Sequence, residues 1–436
     1  MFALIPLAVP WYEDFAFWAV FLGALGGVGT IAWLLARIYF RRRVDLARTE
    51  RDRLNRELRD AKDELKKARS GNEKQTALER QLADSQYDNE QLQAHLSDSQ
   101  NKSDRLQKVF DHLNKNLKIG QQMAGLTWRV KQSENAPDFM PLEHRRVPVV
   151  AVLNLKGGVG KTTLTANVGA SYARSGWRVL LIDLDLQASL TSLFISGEQI
   201  QRAAETQRLI QHYFEHAAAG NAPNILDFMR PCSEPRVELI GSADTLAYAE
   251  LNLTVRWLLQ PGKNDPRMLL RSALHGEATR QFNLVLIDCP PLLNISCVNA
   301  LAAADFLLVP VVPSKSATDR VRPMIGWLRA LRKNLNPDLK IIGVVANRLS
   351  RSTGMSADES NLWAALRDQC HDAWGEPVPM CKAFVPQSID IRNAENDRRP
   401  LKVKEGTFEF FHNLATELAA RLPQSSRPVA ASGAKA

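Results

Sequence analysis

The sequence predicts an α/β domain, built on a mostly parallel sheet flanked by helices, that follows a transmembrane helix and a long coiled coil. Three observations support this prediction: an uncharged apolar stretch near the N-terminus, a heptad repeat after it, and apolar β-branched segments alternating with helical patterns from residue 147 onward. The expected divisions are an anchor at 1–40, a stalk at 41–120, a linker at 121–146, the α/β domain at 147–422 and a disordered tail at 423–436.

Residues 15–36 carry no charged side chain, and a helix of this length can cross the roughly 30 Å hydrocarbon core of a bilayer. Three arginines follow at 41–43. Because positive residues favour the cytoplasmic side, we expect a single-pass anchor in an inner (cytoplasmic) membrane, with the N-terminus outside. A cleaved secretory signal would carry its basic residues before the apolar run, so an uncleaved anchor is favoured. The GGVG sequence at 26–29 would then serve close helix packing in lipid.

Apolar residues recur with a spacing of three and four between Leu54 and Leu117, with a slip of phase near Gly71. This period predicts a coiled coil, and therefore a homodimer, although polar residues occupy several core positions. A solvated single helix or a charged linker is the alternative. Residues 41–70 contain 12 Lys and Arg against 7 Asp and Glu, and this positive excess next to the anchor favours anionic membrane lipids.

The five cysteines, at 232, 289, 297, 370 and 381, show no CxxC or CxxxC spacing. This pattern disfavours a zinc or iron–sulfur centre, and disulfides are not expected in a reducing cytosol. We therefore expect small buried thiols. The net charge of +9 permits, but does not establish, an interaction with nucleic acid.

Residues 147–155 form an apolar, β-branched segment typical of a buried strand, and KGGVGKTT at 156–163 separates it from a helical pattern that continues through Ala173. Glycines in such a loop leave backbone N–H groups free to bind phosphate at a helix N-terminus. Lys161 can neutralise the β- and γ-phosphates, and the Thr162 hydroxyl can ligate Mg²⁺. The order strand, loop, helix predicts a P-loop that binds a nucleoside triphosphate together with Mg²⁺. The expected contacts are Lys156, Gly157, Gly158, Val159, Gly160, Lys161, Thr162 and Thr163.

A second lysine, Lys156, opens this loop where an ordinary phosphate loop needs only a small or neutral residue. The signature KGGxGKT[ST] is matched at every position, and over residues 147–422 the chain resembles the ParA/MinD family of deviant Walker-A ATPases. The resemblance implies catalytic roles for Lys156 and Lys161. It also implies an ATP-sandwiched homodimer in which Lys156 touches the partner's phosphates, so that hydrolysis depends on dimerisation.

Two carboxylates, Asp183 and Asp185, lie at the end of the apolar segment that begins at Arg178. The resemblance assigns to Asp185 the orientation of the attacking water and to Asp183 a place near the magnesium shell. Phosphoryl transfer depends mainly on positioning and charge neutralisation, for which a carboxylate, two lysines and a metal suffice. Where the family usually continues with Pro-Gln-Gly-Asn, this chain has LQAS at 186–189, a departure in the stretch that forms the family's switch.

Asp288 ends a second apolar segment, LVLID at 284–288, which resembles the Walker-B strand. It is expected to accept a hydrogen bond from a magnesium-bound water. Asn347 ends a later segment, KIIGVVAN, and resembles the residue that recognises adenine, while Pro386 is expected to cover the base from the other side. Both residue types are also common turn formers.

Together these features predict a membrane-tethered ATPase whose slow, dimerisation-dependent cycle partitions or positions a cargo, DNA or a protein complex, with help from a stimulating partner protein. A membrane scaffold with a nearly silent ATPase is the alternative. A bacterial tyrosine kinase is disfavoured because no tyrosine follows Tyr248, and a metal-centre ATPase is disfavoured by the cysteine spacing.

Non-specific DNA is a further possible partner. A basic cluster near the C-terminus could contact phosphates without base recognition, although a solvated charged face would look the same. The cluster consists of Arg392, Arg398, Arg399, Lys402 and Lys404.

Overall fold

The computed structural model describes residues 126–129, 132, 136–221, 223–259 and 265–428, together with scattered positions between 59 and 97. The chain divides into two compact units, Met1–Gln122 and Met123–Ala436. In the first unit the described positions are helical and exposed. The predicted anchor lies outside the described residues, as does most of the predicted coiled coil. Among the residues that are described, no helix is long and apolar enough to cross a membrane.

The second unit contains an eight-stranded sheet with the order β3-β4-β2-β5-β1-β6-β7-β8. Its neighbouring strands pair in parallel, apart from the short edge strand β3, which is antiparallel to β4. The predicted, mostly parallel sheet is thus confirmed. The strands are β1 (Val149–Val152), β2 (Val179–Asp183), β3 (Arg230–Pro231), β4 (Val237–Ile240), β5 (Leu284–Asp288), β6 (Phe306–Val311), β7 (Lys340–Leu349) and β8 (Met380–Pro386).

Helices cover both faces of this sheet, as the apolar pattern of the central strands requires. In β1, Val149 and Ala151 pack into one core cluster, whereas Val150 and Val152 pack into the other. A strand buried on both faces needs such a continuous apolar run. The helices are α1 (Lys161–Arg174), α2 (Ser189–Phe194), α3 (Gly197–Glu205), α4 (Ile210–Ala218), α5 (Leu246–Leu259), α6 (Leu269–Leu274), α7 (Ile295–Ala303), α8 (Lys315–Leu335), α9 (Ala357–Trp374), α10 (Ile389–Asn396) and α11 (Phe408–Ala419).

Strand β1 lies at the point where the chain changes direction across the sheet. It is flanked by β5 and β6, and the connection after β1 passes over β5 to reach β2, whereas the connection after β5 crosses to the other side to reach β6. In open parallel sheets, such a switch point opens a crevice at the carboxyl ends of the strands, where ligands bind. The predicted site residues at the ends of β1, β2 and β5 therefore lie around this crevice.

The described positions of segment 126–146, predicted as part of a linker, pack into the domain. Trp128 is 8% exposed, and Arg145 forms a buried ion pair with Asp305. The guanidinium of Arg271, itself buried, donates to the side chain of Gln132 and to the carbonyl of Pro137. The packed domain thus begins before residue 147. The linker prediction missed this because the anchoring residues are distant in sequence.

The other end of the domain also extends past its predicted boundary. Gln424–Ser426 forms a 3₁₀ turn, and Ser426 is fully buried. Its carbonyl accepts a hydrogen bond from Asn283, while the carbonyl of Ser425 accepts one from Arg146. The prediction that disorder begins at Pro423 is therefore wrong for residues 423–428, and the remaining tail lies outside the described residues.

Candidate nucleotide-binding site

The phosphate loop, residues 156–160, connects β1 to α1, and its backbone shape depends on glycine. Gly158 and Gly160 have φ angles of 74° and 81°, a left-handed conformation that residues with a Cβ rarely adopt. A Cβ on Gly160 would also lie 2.6 Å from Nδ2 of Asn347. Gly157 and Gly158 are exposed. The loop therefore leaves its backbone open at the N-terminus of α1, where unpaired N–H groups favour an anion.

The two lysines of the motif lie on either side of this backbone. Lys161 is the first residue of α1 and is only 7% exposed. Its Nζ atom is 3.4 Å from the carbonyl oxygen of Lys156, so the ammonium group folds back over the loop. The backbone of Lys156 donates to Oδ1 of Asn154, which fixes the start of the loop, and its side chain is half-buried. The Lys161 ammonium therefore lies at the position predicted for phosphate.

Asp288, at the end of β5, is buried beside the first turn of α1. Its Oδ1 atom is 3.5 Å from the hydroxyl of Thr165, whereas its buried Oδ2 atom has no hydrogen-bond partner within the described part of the chain. Burial, and then the charge of Asp183, raise the pKa of Asp288, while the Thr162 hydroxyl and Lys161 act in the opposite direction. A buried oxygen without a partner, next to a threonine hydroxyl, fits a hydrated divalent cation.

Asp183 faces Asp288 across the β2–β5 pairing, but its carboxylate is already engaged. Oδ1 accepts the backbone N–H of Asp185, and Oδ2 accepts both the N–H and the hydroxyl of Thr191. Burial raises its pKa to about 6, even though these hydrogen bonds act in the opposite direction. The structure thus shows Asp183 fixing the start of α2. Its predicted place near the magnesium shell stays a prediction.

Asp185 follows β2 and is half-buried at the mouth of the crevice. Its Oδ1 atom accepts the backbone N–H of Gln187, and its carbonyl accepts the hydroxyl of Ser242 at 2.7 Å. Three residues later Ala188 has φ = 51°. This is the position where the ParA/MinD pattern carries glycine, so the chain places an alanine in a backbone conformation that favours glycine.

Asn347 and Pro386, the residues predicted to hold the base, line one cavity of about 230 Å³ beside Gly160 and Thr163. Asn347 is buried, and its Nδ2 donates to the carbonyl of Val159 at 2.7 Å. Asn347 therefore also holds the phosphate loop in place. This contact was not foreseen from the sequence.

Two further residues beside this cavity, Arg348 and Glu395, were not identified from the sequence. Arg348, with φ = 58°, donates from Nη1 to the carbonyl of Gly158 at 2.6 Å. Thr163 donates to Glu395 at 2.5 Å, and Arg392 lines the cavity. The position of Arg348 directly after Asn347 was the available signal, since one strand end can present neighbouring residues to the same loop.

The basic cluster near the C-terminus is less positive than its sequence suggested. Arg399 forms ion pairs with Asp397 and Glu405, at 3.0 and 2.7 Å. Arg392 belongs to the cavity beside the phosphate loop. Arg398, Lys402 and Lys404 are exposed. The surface available to a polyanion is therefore smaller than the cluster of five residues.

The cysteines are free, and four of the five are buried, with Cys232 half-buried. Among the described residues, no group of His, Cys, Asp and Glu has the arrangement of a metal centre.

Comparison with known proteins finds one matching family model and several relatives. Residues 147–341 match a family described as an AAA domain. The chromosome partitioning protein ParA of Caulobacter vibrioides is 32% identical over 255 residues, which are 58% of this chain and 85% of that protein. The chromosome-partitioning ATPase Soj of Thermus thermophilus is 32% identical over 64% of this chain and 98% of its own length. The sporulation initiation inhibitor protein Soj of Bacillus subtilis is 29% identical over 62% and 98%.

Two solved structures support the fold. Cobyrinic acid a,c-diamide synthase from Mycobacterium smegmatis, with bound ADP and magnesium, has a TM-score of 0.50 and 24% identity, covering 63% of this chain and 95% of that chain. McdA from Cyanothece, in an ATP complex, has a TM-score of 0.51 and 19% identity, with coverages of 63% and 96%. The motif with two lysines, the parallel sheet with its switch point at β1, and the likeness to ParA and Soj together show that the chain belongs to the ParA/MinD family of P-loop ATPases.

Proposed function

We propose that this protein is a membrane-tethered, Mg²⁺-dependent ATPase that binds ATP and hydrolyses it slowly, as a dimerisation-dependent switch. The observation that supports this most strongly is the phosphate loop with its two lysines, placed beside the buried Asp288, whose Oδ2 atom has no hydrogen-bond partner among the residues that the structure describes. The partitioning relatives extend the proposal to a role in partitioning or positioning a cargo, either DNA or a protein complex.

The phosphate loop and Lys161 perform the binding step in this proposal. The backbone N–H groups of 157–160 and the start of α1 surround the β-phosphate, and the Lys161 ammonium moves from the Lys156 carbonyl to the phosphate oxygens. Thr162 and Asp288 would hold a magnesium ion, whose chemistry is to neutralise the charge of the triphosphate. The cavity lined by Asn347 and Pro386 accommodates the base.

Asp185 is the group proposed to orient the attacking water. It lies at the mouth of the crevice, and its backbone is fixed to Asp183 and to Ser242. Lys156 would complete the site of a second copy of the chain, so that hydrolysis requires two domains to meet. This arrangement uses positioning and charge neutralisation, which phosphoryl transfer chiefly needs.

The predicted anchor and stalk would change how the ATPase cycle controls the location of this protein. With residues 15–36 in the membrane and 41–120 in a dimeric coiled coil, the protein would stay on the cytoplasmic side of an inner membrane whichever nucleotide it carries. ATP would then close two domains of an existing dimer, and the closed dimer would hold or release the cargo. Anionic lipids would contact the basic stretch at 41–70, and a partner protein would stimulate hydrolysis.

A membrane scaffold with a nearly silent ATPase is the second candidate, and Ala188 favours it. An alanine at φ = 51°, three residues after Asp185, stiffens a stretch that would have to move during a turnover cycle. A measurable but slow turnover distinguishes the switch from the scaffold.

The decisive experiment measures ATP hydrolysis by the full-length protein in liposomes containing anionic lipid. We expect slow turnover that Asp185→Ala reduces by about 100-fold while ATP is still retained. Asp244→Ala, which changes an exposed carboxylate on the loop after β4, is the control and should hydrolyse ATP like the wild type. Equal rates for the wild type and Asp185→Ala would support the scaffold. Extraction of the protein from membranes by carbonate would contradict the anchor.

DNA as the cargo has its own test. Binding of the full-length protein to a DNA duplex is measured at 50 and 200 mM salt, with Lys402→Ala/Lys404→Ala as the variant. A phosphate-contact mode predicts a steep loss of affinity with salt and a smaller salt slope in the variant. Affinity that does not change with salt would exclude this mode.

A further inference from the structure

The loop that follows Asp288 is tied to the rest of the domain by hydrogen bonds at both of its ends. Residues 289–294 connect β5 to α7 without regular secondary structure, and Leu292 at their centre is 62% exposed. The loop begins at Cys289, whose N–H donates to the carbonyl of Val152 in β1. Its first residue is thus tied to the strand that leads into the phosphate loop.

The far end of this loop is fixed by segment 126–146. The indole Nε1 of Trp128 donates to the carbonyl oxygen of Leu293 at 3.0 Å, across 165 residues of sequence. The indole ring packs on Trp257 of α5 with a centroid distance of 4.8 Å. The backbone carbonyl of Trp128 accepts a hydrogen bond from the buried Arg267, so this residue is held through both its backbone and its side chain.

Helix α5 provides a second contact with the same loop. Glu250 lies on the same face of the helix as Trp257, two turns before it, and accepts a hydrogen bond from the side-chain amide of Asn294 at 2.6 Å. Asn294 in turn caps α7 by accepting the N–H of Cys297. Burial raises the pKa of Glu250 to about 7, and the charge of Asp185 contributes to the same shift, which places Glu250 within electrostatic reach of the proposed water-orienting group.

We propose that Trp128 and Glu250 are positioning residues that hold the 289–294 loop beside the nucleotide site and so couple segment 126–146 to turnover. The inference rests on the proposed ATPase function. The 289–294 loop directly follows Asp288, so a conformational change at the nucleotide site that moved this loop would break or strain its hydrogen bond to Trp128. In the reverse direction, a displacement of Trp128 in segment 126–146 would be transmitted to Leu293 through the hydrogen bond between them.

Hydrogen exchange of the full-length protein tests this coupling together with ATP turnover. Trp128→Phe keeps an aromatic ring on Trp257 but removes the Nε1–H donor. We expect exchange of the amides in 292–295 to accelerate by about tenfold and turnover to fall by about fivefold, with ATP affinity unchanged within about twofold. Trp177→Phe is the matched control, because Trp177 is also buried in this domain but packs on Tyr172, and it should change neither quantity.

Glu250 offers an independent pair of variants. Glu250→Gln keeps an acceptor for Asn294 and should leave exchange of the amides in 292–297 close to that of the wild type, whereas Glu250→Leu removes the acceptor and should accelerate exchange. Unchanged exchange in both Trp128→Phe and Glu250→Leu would overturn the proposal. If the wild type hydrolyses no ATP, the proposed function fails, but the exchange comparison still decides whether these residues hold the loop.

Discussion

Segment 126–146 and the phosphate loop at 156–160 are neighbours in the sequence, yet they are fixed by opposite means. The phosphate loop keeps its shape through glycine backbone conformations and remains open to solvent at Gly157 and Gly158. Segment 126–146 is held by side chains that are far away in sequence, among them the buried Arg267 and Arg271. The phosphate loop is thus open to a ligand, whereas segment 126–146 is fixed by its contacts within the domain.

The largest expected effect is a loss of nucleotide binding when the glycine conformation is removed. Gly160→Ala places a Cβ at φ = 81° and 2.6 Å from Nδ2 of Asn347, which also holds the loop. We expect ATP affinity to fall by at least about 100-fold, measured by calorimetric titration of the full-length protein with Mg²⁺ present.

Gly326→Ala in α8 is the control for Gly160→Ala, because nothing lies within 4 Å of its Cβ position. It should bind ATP like the wild type. Retention of full affinity by Gly160→Ala would show that the loop does not need its left-handed glycine.

The next effect concerns the stability of the docked segment. Arg271 is 1% exposed and donates to the carbonyls of Ala302, Pro137 and Leu335. Arg271→Met leaves these buried acceptors without a donor, so we expect the free energy of unfolding to fall by about 3 kcal/mol, measured by urea denaturation.

Arg367→Met is the matched control, since Arg367 is 55% exposed and pairs with the adjacent, exposed Asp368. Its effect should stay below about 0.5 kcal/mol. Equal losses in the two variants would mean that segment 126–146 contributes little to the fold.

The third prediction concerns the pH dependence of folding stability at His275, which connects segment 126–146 to α7. Its Nδ1 accepts the N–H of Met140, and its Nε2 contacts the carbonyl of Ala303 at 2.8 Å, which requires the neutral imidazole. Burial, with the charges of Arg145 and Arg271, lowers its pKa to about 3 from an ordinary value of 6.5. Because the folded state binds fewer protons than the unfolded chain, the stability contributed by the neutral ring is present above pH 6.5 and is lost as pH falls towards 3.

Unfolding of the wild type and of His275→Gln, measured from pH 7 to pH 5, isolates this contribution. The wild type should lose on the order of 2 kcal/mol more than the variant over this range. Buried carboxyls such as Asp305, whose pKa is raised to about 6 by burial, change stability in the opposite direction but equally in both proteins. Parallel pH profiles would contradict a neutral His275.

The smallest effect belongs to the stretch after Asp185. Ala188→Gly removes the Cβ from a left-handed backbone, so we expect the free energy of unfolding to rise by about 1 kcal/mol, measured by thermal denaturation. An ordinary alanine-to-glycine change lowers stability instead, because glycine gains entropy in the unfolded chain. A fall in stability would therefore remove the argument for strain at this position.

The phosphate loop and Asp288 could be predicted from the sequence because their chemistry lies in contiguous stretches, between a buried strand and a helix or at a strand end. The anchoring of segment 126–146 could not, since the Trp128 hydrogen bond spans 165 residues and the Arg271 contact with Gln132 spans 139. Asn347 is an intermediate case, because its position was predicted but its contact was not. Its position at the end of a strand was evident, but its hydrogen bond to Val159 required the register of β7 within the sheet.

The most direct test of the account is retention of ATP by the full-length protein in equilibrium dialysis, with and without Mg²⁺. The wild type should retain ATP, more tightly when Mg²⁺ is present. Lys161→Ala should lose it, whereas Lys340→Ala, at an exposed position at the start of β7, should not. A wild-type protein that fails to retain ATP, or a Lys161→Ala protein that retains it equally well, would contradict a triphosphate site at this loop.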